Sequence, residues 1–241
     1  MTLMFGGREK PFGAKRCTCP EAQEHWRKFD ERLKAEEEFR LENERRERIR
    51  ALFTQSLLPE RWKTRTFEAF QVTPENRQAY EMAKAYARDF EPSSPHGLIL
   101  SGRVGRGKTH LCAAIAMELL SREHSVIFGT VTNLLAQIRN TYSDDKETEL
   151  KVFQRLTRCR LLVIDELGKE KVTEWVEQTV YEIINTRYEH NKPILVTTNM
   201  DVFKLPQKYP NNGEAILSRI LEMCRGVQMD GPDWRTKGMK Q

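Results

Sequence analysis

The stretch GLILSGRVGRGKT, residues 97–109, decides the fold. Gly97 to Leu100 form a short apolar run of the kind a buried strand supplies, and Gly102 to Thr109 then match the spacing G-x-x-x-x-G-K-T of a phosphate-binding loop. Successive backbone N–H groups curl round the β- and γ-phosphates of a nucleotide only in an open, glycine-rich turn, which Gly102, Gly105 and Gly107 permit. Lys108 adds a charge at the β/γ oxygens, and Thr109 presents a hydroxyl to Mg²⁺ in the first turn of the following helix. Leu111, Ala114, Ile115, Met117, Leu119 and Leu120 continue at the spacing of a buried helix. A chance glycine turn accounts poorly for the whole pattern. The expected nucleotide contacts run over Gly102, Arg103, Val104, Gly105, Arg106, Gly107, Lys108, Thr109 and His110. Arg103 and Arg106 stand where small or apolar residues are more usual. They strengthen phosphate binding or face solvent, and the sequence leaves both open.

Two further runs carry chemistry at their ends. Leu161 to Glu166 is a continuous apolar strand closed by two acids, as expected of a strand buried on both faces with function at its carboxyl end. Asp165 fits Mg²⁺ coordination, together with Thr109. Glu166, one residue on, is suited to polarise an attacking water, which points to hydrolysis rather than nucleotide storage. Pro193 to Asn199 is a second β-rich run, whose terminal Asn199 is placed to hold the water or the γ-phosphate, although Thr-Thr-Asn is also an ordinary strand exit. Strands at Gly97 to Ser101, Ser125 to Val131, Leu161 to Asp165, Ile194 to Thr198 and Val227 to Asp230 alternate with helices. Those helices are expected at Arg77 to Phe90, Thr109 to Glu123, Asn133 to Tyr142 and Glu174 to Glu189. The alternation predicts an α/β fold, a five-stranded parallel sheet between helices.

These motifs, with Arg65 to Phe70, Pro74 to Arg77, Asp165 to Gly168 and Val172 to Trp175, resemble the AAA+ P-loop ATPases that load bacterial replicative helicases, the DnaC/DnaI type and especially its phage and prophage versions. The resemblance runs from about Arg61 to Arg235, and IstB-type transposition ATPases share nearly all of it. It implies ATP and Mg²⁺ as ligands, self-association through ATP interfaces, and two partners: a DnaB/DnaC-type helicase hexamer and single-stranded DNA. It also implies that Arg219, in Ala215 to Ile220, reaches the γ-phosphate held by a neighbouring subunit, unless it is simply a surface arginine. Asp233-Trp234-Arg235 resembles a second sensor arginine, with Arg225 as the alternative. No clear helical lid is expected beyond it. Phe67 and Phe70 either pack near the adenine or form a core aromatic pair.

A net charge of +5 confines any nucleic-acid contact to a local basic face. Arg139, Tyr142, Arg155, Lys169 and Lys171 are candidates for that face, with an ordinary solvated surface as the alternative. Five cysteines without regular pairing and no long apolar run predict a reduced, cytoplasmic protein that does not enter membranes. Residues 1–57 are expected to form a loose tail and a charged helix over Trp26 to Phe53, and residues 58–241 the ATPase domain. The helix lacks a single heptad register, which argues against a coiled coil. By the resemblance it grips the helicase near Trp26 and Phe29, or it is a solvated spacer. Cys17, Cys19 and His25 are three potential zinc ligands where a structural site takes four, so free thiols are the simpler reading. The segment from Asp144 to Glu147 is expected to be a polar loop. A loader driven by ATP is the expectation. A transposase-assisting ATPase, a small-molecule P-loop kinase and a scaffold with negligible turnover are the competing readings.

Overall fold

The structure, a computed structural model, describes residues 4–5, 8–9, 19–94, 96–140 and 148–235. The chain divides into two compact units, Met1–Arg48 and Ile49–Gln241. In the first, β1 (Met4–Phe5) pairs antiparallel with β2 (Arg8–Glu9), where the sequence predicts only a loose tail. α1 (Pro20–Gln55) then runs for 36 residues, its last seven belonging to the second unit, and extends beyond both ends of the predicted helix. Pro20 occupies its first position, where a missing N–H costs nothing, and no other proline or glycine follows until the helix ends. Pairs such as Glu24–Lys28 (2.8 Å) and Glu42–Arg46 (3.1 Å) lie one turn apart. Each adds about 0.3–0.5 kcal/mol to the helix. No residue of α1 is buried; Leu52 and Phe53 near its end pack partly against the core, and local pairing sustains the rest.

The second unit is built on five parallel strands in the order β4-β5-β6-β3-β7. They are β3 (Gly97–Ser101), β4 (Val126–Thr130), β5 (Leu161–Asp165), β6 (Ile194–Thr198) and β7 (Cys224–Gln228). Strand alternation divides the core in two. Leu98, Leu100, Leu161, Val163 and Leu195 pack with α2 (Arg77–Arg88) and α3 (Lys108–Ser121). Ile99, Leu162, Ile164 and Val196 pack with α4 (Val131–Asn140), α5 (Glu149–Arg158), α6 (Glu174–Glu189) and α8 (Gly213–Met223). A single turn, α7 (Leu205–Lys208), precedes α8.

Several boundaries differ from the sequence reading. α4 begins directly at the end of β4, because Thr130 Oγ1 accepts the Asn133 N–H (3.2 Å) and caps the helix. β7 starts three residues earlier than Val227 and ends at Gln228, since its register against β3 aligns Gly97 with Cys224 and Ser101 with Gln228. As an edge strand it buries only Cys224 and Val227, which blunts its apolar signal. α5 was not expected. It forms because Thr148 caps it and Val152 and Leu156, one turn apart, reach the core. The carboxyl end of α5 is held by Arg187 of α6, whose fully buried guanidinium donates to the carbonyls of Leu156, Thr157, Cys159 and Pro193 at 2.7–3.1 Å. A cation on helix-end carbonyls that lack intrahelical partners is favoured both by hydrogen bonding and by the helix dipole. Tyr142 and the segment from Asp144 to Glu147 lie outside the described residues. Among the described residues no helix is long and apolar enough to cross a membrane.

Candidate functional site

The loops after β3, β5 and β6 meet at the carboxyl edge of the sheet, the position where open α/β sheets hold ligands. They border a cavity of about 390 Å³ lined by Val104 to His110, Glu166, Thr197 and Asn199, with Trp62, Arg65, Ala69, Phe70, Gln71, Trp234 and Arg235 closing it. Gly105 (φ +80°) and Gly107 (φ +92°) adopt left-handed backbone, and both line the cavity. A side chain at Gly107 would come within 2.8 Å of the Phe70 ring, and one at Gly105 would collide with the Asp233 carboxylate. The cradle therefore accepts glycine alone at both places.

Lys108 is buried at the start of α3, and its ammonium donates to the carbonyls of Gly102 (2.7 Å) and Arg103 (2.8 Å). Burial pulls it below the usual lysine range, partly offset by Asp165 and Glu166. Asp165 is buried, and that burial raises its carboxyl above the ordinary range; the hydroxyls of Thr197 (2.6 Å) and Thr109 (3.0 Å), both donating to Oδ1, oppose the rise. A carboxylate withdrawn from water beside a helix-start hydroxyl is favourable ground for a divalent cation. Thr109 and Asp165 thus fit Mg²⁺. The glycine cradle, Lys108 and the buried Nε of Arg106, which has no hydrogen-bond partner among the described residues, fit a nucleotide's phosphates.

Glu166 takes a left-handed conformation (φ +58°), and its carboxylate pairs with Lys169 Nζ at 2.8 Å. Asn199 lines the cavity from the tip of β6. Arg235 reaches it as well, because residues 229–235 run back over the phosphate loop: Met229 N–H donates to Ser101 O (2.7 Å) and Trp234 N–H to Gly105 O (3.1 Å). Arg225 does not line it. It is the second residue of β7, aligned with Leu98 well before the carboxyl edge. Phe67 and Phe70 separate: Phe67 is buried in the core, whereas Phe70 lines the cavity, stacked on Tyr80 and edge-on to His110. His110 also donates through Nε2 to Thr66 O at 2.9 Å.

Other candidates lie elsewhere. Gly102 and Arg103 contribute carbonyls to Lys108 rather than cavity wall. Arg219 sits on α8 with its guanidinium over Tyr181 and Tyr188, bonded to Asn185 Oδ1 at 2.6 Å, and does not line the cavity of its own chain. Arg139 lies over Trp175 at 4.3 Å, Arg155 is half-buried on α5, and Lys171 is exposed. Cys17 lies outside the described residues. Among those described, no group of three or more His, Cys, Asp or Glu side chains is arranged to hold a metal ion. Sequence reasoning missed Trp62, Gln71 and Thr197. Trp62, an aromatic one residue past Arg61 where the resemblance starts, was a legible signal, while Thr197 was hidden inside an ordinary-looking strand exit.

The chain is 29% identical over 156 residues to the replicative helicase loader DnaC of Escherichia coli K12, covering 64% of this chain and 62% of that one. It is 31% identical over 157 residues to the phage-like element PBSX protein XkdC of Bacillus subtilis 168, covering 61% and 56% respectively. The chain thus spans less than two thirds of either relative. A crystal structure of the DnaC helicase loader superposes with a TM-score of 0.63 at 22% identity, over 71% of this chain and all of that one, which shows that the two share a fold. The model of the IstB-like ATP binding protein family matches residues 18–241, and the chain belongs to that family.

Proposed function

We propose that this chain is an ATPase that binds the replicative DNA helicase and helps place it on single-stranded DNA, with ATP binding and hydrolysis switching assembly and release. The observation that carries the ATPase part is the meeting of Lys108, Thr109, Glu166 and Asn199 around one cavity, with Asp165 hydrogen-bonded to Thr109 behind it. The similarity to DnaC supports the loader part. In this reading the loop from Gly102 to Thr109 binds the phosphates, and Thr109 and Asp165 hold Mg²⁺, which neutralises charge on the phosphate oxygens. Glu166 takes the proton of the attacking water, Asn199 orients it, and Arg235 touches the nucleotide of its own chain. Arg219 acts across a subunit interface once its contacts with α6 are exchanged for a neighbour's phosphate. The N-terminal unit contacts the helicase, with Trp26 and Phe29, which stack edge to face at 5.8 Å, as its apolar element.

The test is transfer of purified replicative helicase onto circular single-stranded DNA. The reading expects transfer that requires this chain and ATP·Mg²⁺ and is lost with Lys108→Ala. No transfer, together with assembly on duplex DNA and capture of a transposase, would instead favour the IstB-type reading that the family match keeps in view.

A further inference from the structure

Thr197, at the carboxyl end of β6, is fully buried between the two acids. Its hydroxyl donates to Asp165 Oδ1 (2.6 Å) and accepts the backbone N–H of Glu166 (2.9 Å). Its carbonyl accepts Leu167 N–H (2.8 Å), and the neighbouring Thr198 hydroxyl donates to Leu167 O (2.8 Å). One side chain therefore ties the side chain of the first acid to the backbone of the second.

The backbone at Glu166 explains why such a tie matters. In a continuing strand, successive side chains point to opposite faces. The left-handed turn at Glu166 breaks that alternation, and Glu166 lines the same cavity as Thr109. A non-glycine residue resists this conformation, so surrounding bonds must hold it. Thr197 supplies the bond at the turn itself. Farther along, Glu170 accepts Gly168 N–H (3.1 Å) and the hydroxyl of buried Tyr209, bracing the other end.

We propose that Thr197 is a positioning residue for hydrolysis, its single hydroxyl fixing Glu166 in register with Asp165. The proposal rests on the reading of the chain as an ATPase. It separates binding from turnover: Thr197→Val keeps shape but loses the hydroxyl. ATP·Mg²⁺ affinity and KM should stay within about threefold, while the single-turnover rate falls about tenfold to a hundredfold, the effect of leaving the N–H of the Glu166 turn without its acceptor. Thr197→Ser should restore most of the rate. Amide hydrogen exchange gives a readout independent of activity. The Glu166 N–H should be protected in the wild type and in Thr197→Ser, and lose protection in Thr197→Val while the strand amides of β5 and β6 keep theirs.

A Thr197→Val rate within twofold of wild type, or rate and affinity lost in parallel without rescue by serine, would overturn the proposal. So would a Glu166 amide that exchanges freely in the wild type, a result that needs no variant to fold. Absence of any hydrolysis by the wild type would instead refute the ATPase reading. Exchange at Glu166 would then decide whether Thr197 holds the turn.

Discussion

Asp165 and Glu166 are adjacent in sequence but meet different physical demands. Asp165 is buried and its carboxyl is raised, so a cation beside it relieves a desolvation cost already present in the fold. Glu166 lies at the cavity wall, where a carboxylate can reach a water. Glu166→Gln should therefore leave nucleotide binding intact and lower single-turnover hydrolysis by about a hundredfold or more, the scale of general-base loss. Lys108→Ala should abolish binding, as read by titration with a fluorescent ATP analogue. His110 and His124 are both held below the ordinary imidazole range, chiefly by burial. In the unfolded chain they take up protons near pH 6.5, as ordinary imidazoles do. The folded chain keeps them neutral to lower pH, so their contribution is present above that value and is lost as pH falls. The His110→Gln chain should accordingly lose less of its urea midpoint between about pH 7 and about pH 5.5 than the wild type does. The phosphate loop and the acid pair were legible in sequence because contiguous residues define them. The Thr197 latch was not, because it joins positions 165, 166 and 197, which only strand pairing brings together.

Elements explain what fixes these residues in place. β5 and β6 read clearly as strands because every position in them is buried, and continuous apolar runs signal that directly. β7 and α5 did not, since each buries only two or three side chains and takes its place from neighbours. Arg187 is the sharpest case. A buried arginine in a helix is invisible to apolar periodicity, yet here it caps α5 and joins it to the entry of β6. Arg187→Leu should strand those carbonyls and destabilise the unit by on the order of 3 kcal/mol in chemical denaturation. The exposed Lys169–Glu166 pair should behave oppositely. Lys169→Ala should change stability by less than about 1 kcal/mol. By freeing the Glu166 carboxylate from its ion pair, it should raise hydrolysis in the absence of any partner.

At the scale of the molecule, Arg219 does not reach the candidate nucleotide cavity of its own chain. Arg219 is held by Asn185, Tyr181 and Tyr188 of its own chain. If it serves a neighbour's phosphate, Lys108→Ala and Arg219→Ala chains should each be inactive alone and regain hydrolysis when mixed, because one keeps the arginine and the other the nucleotide. α1 has the opposite character: 36 residues without a buried side chain, with Phe39 69% exposed. Such a surface suits contact with a partner better than support of a core. The most direct measurement is the mass, by light scattering after size exclusion, of this chain mixed with the replicative helicase, with ATP·Mg²⁺ and without nucleotide. The same mixture is then repeated with a chain lacking Met1–Arg48. A complex that forms with ATP·Mg²⁺ and disappears on removal of the N-terminal unit is the predicted result. An undeleted chain that leaves the helicase mass unchanged in every nucleotide condition would contradict the loader account.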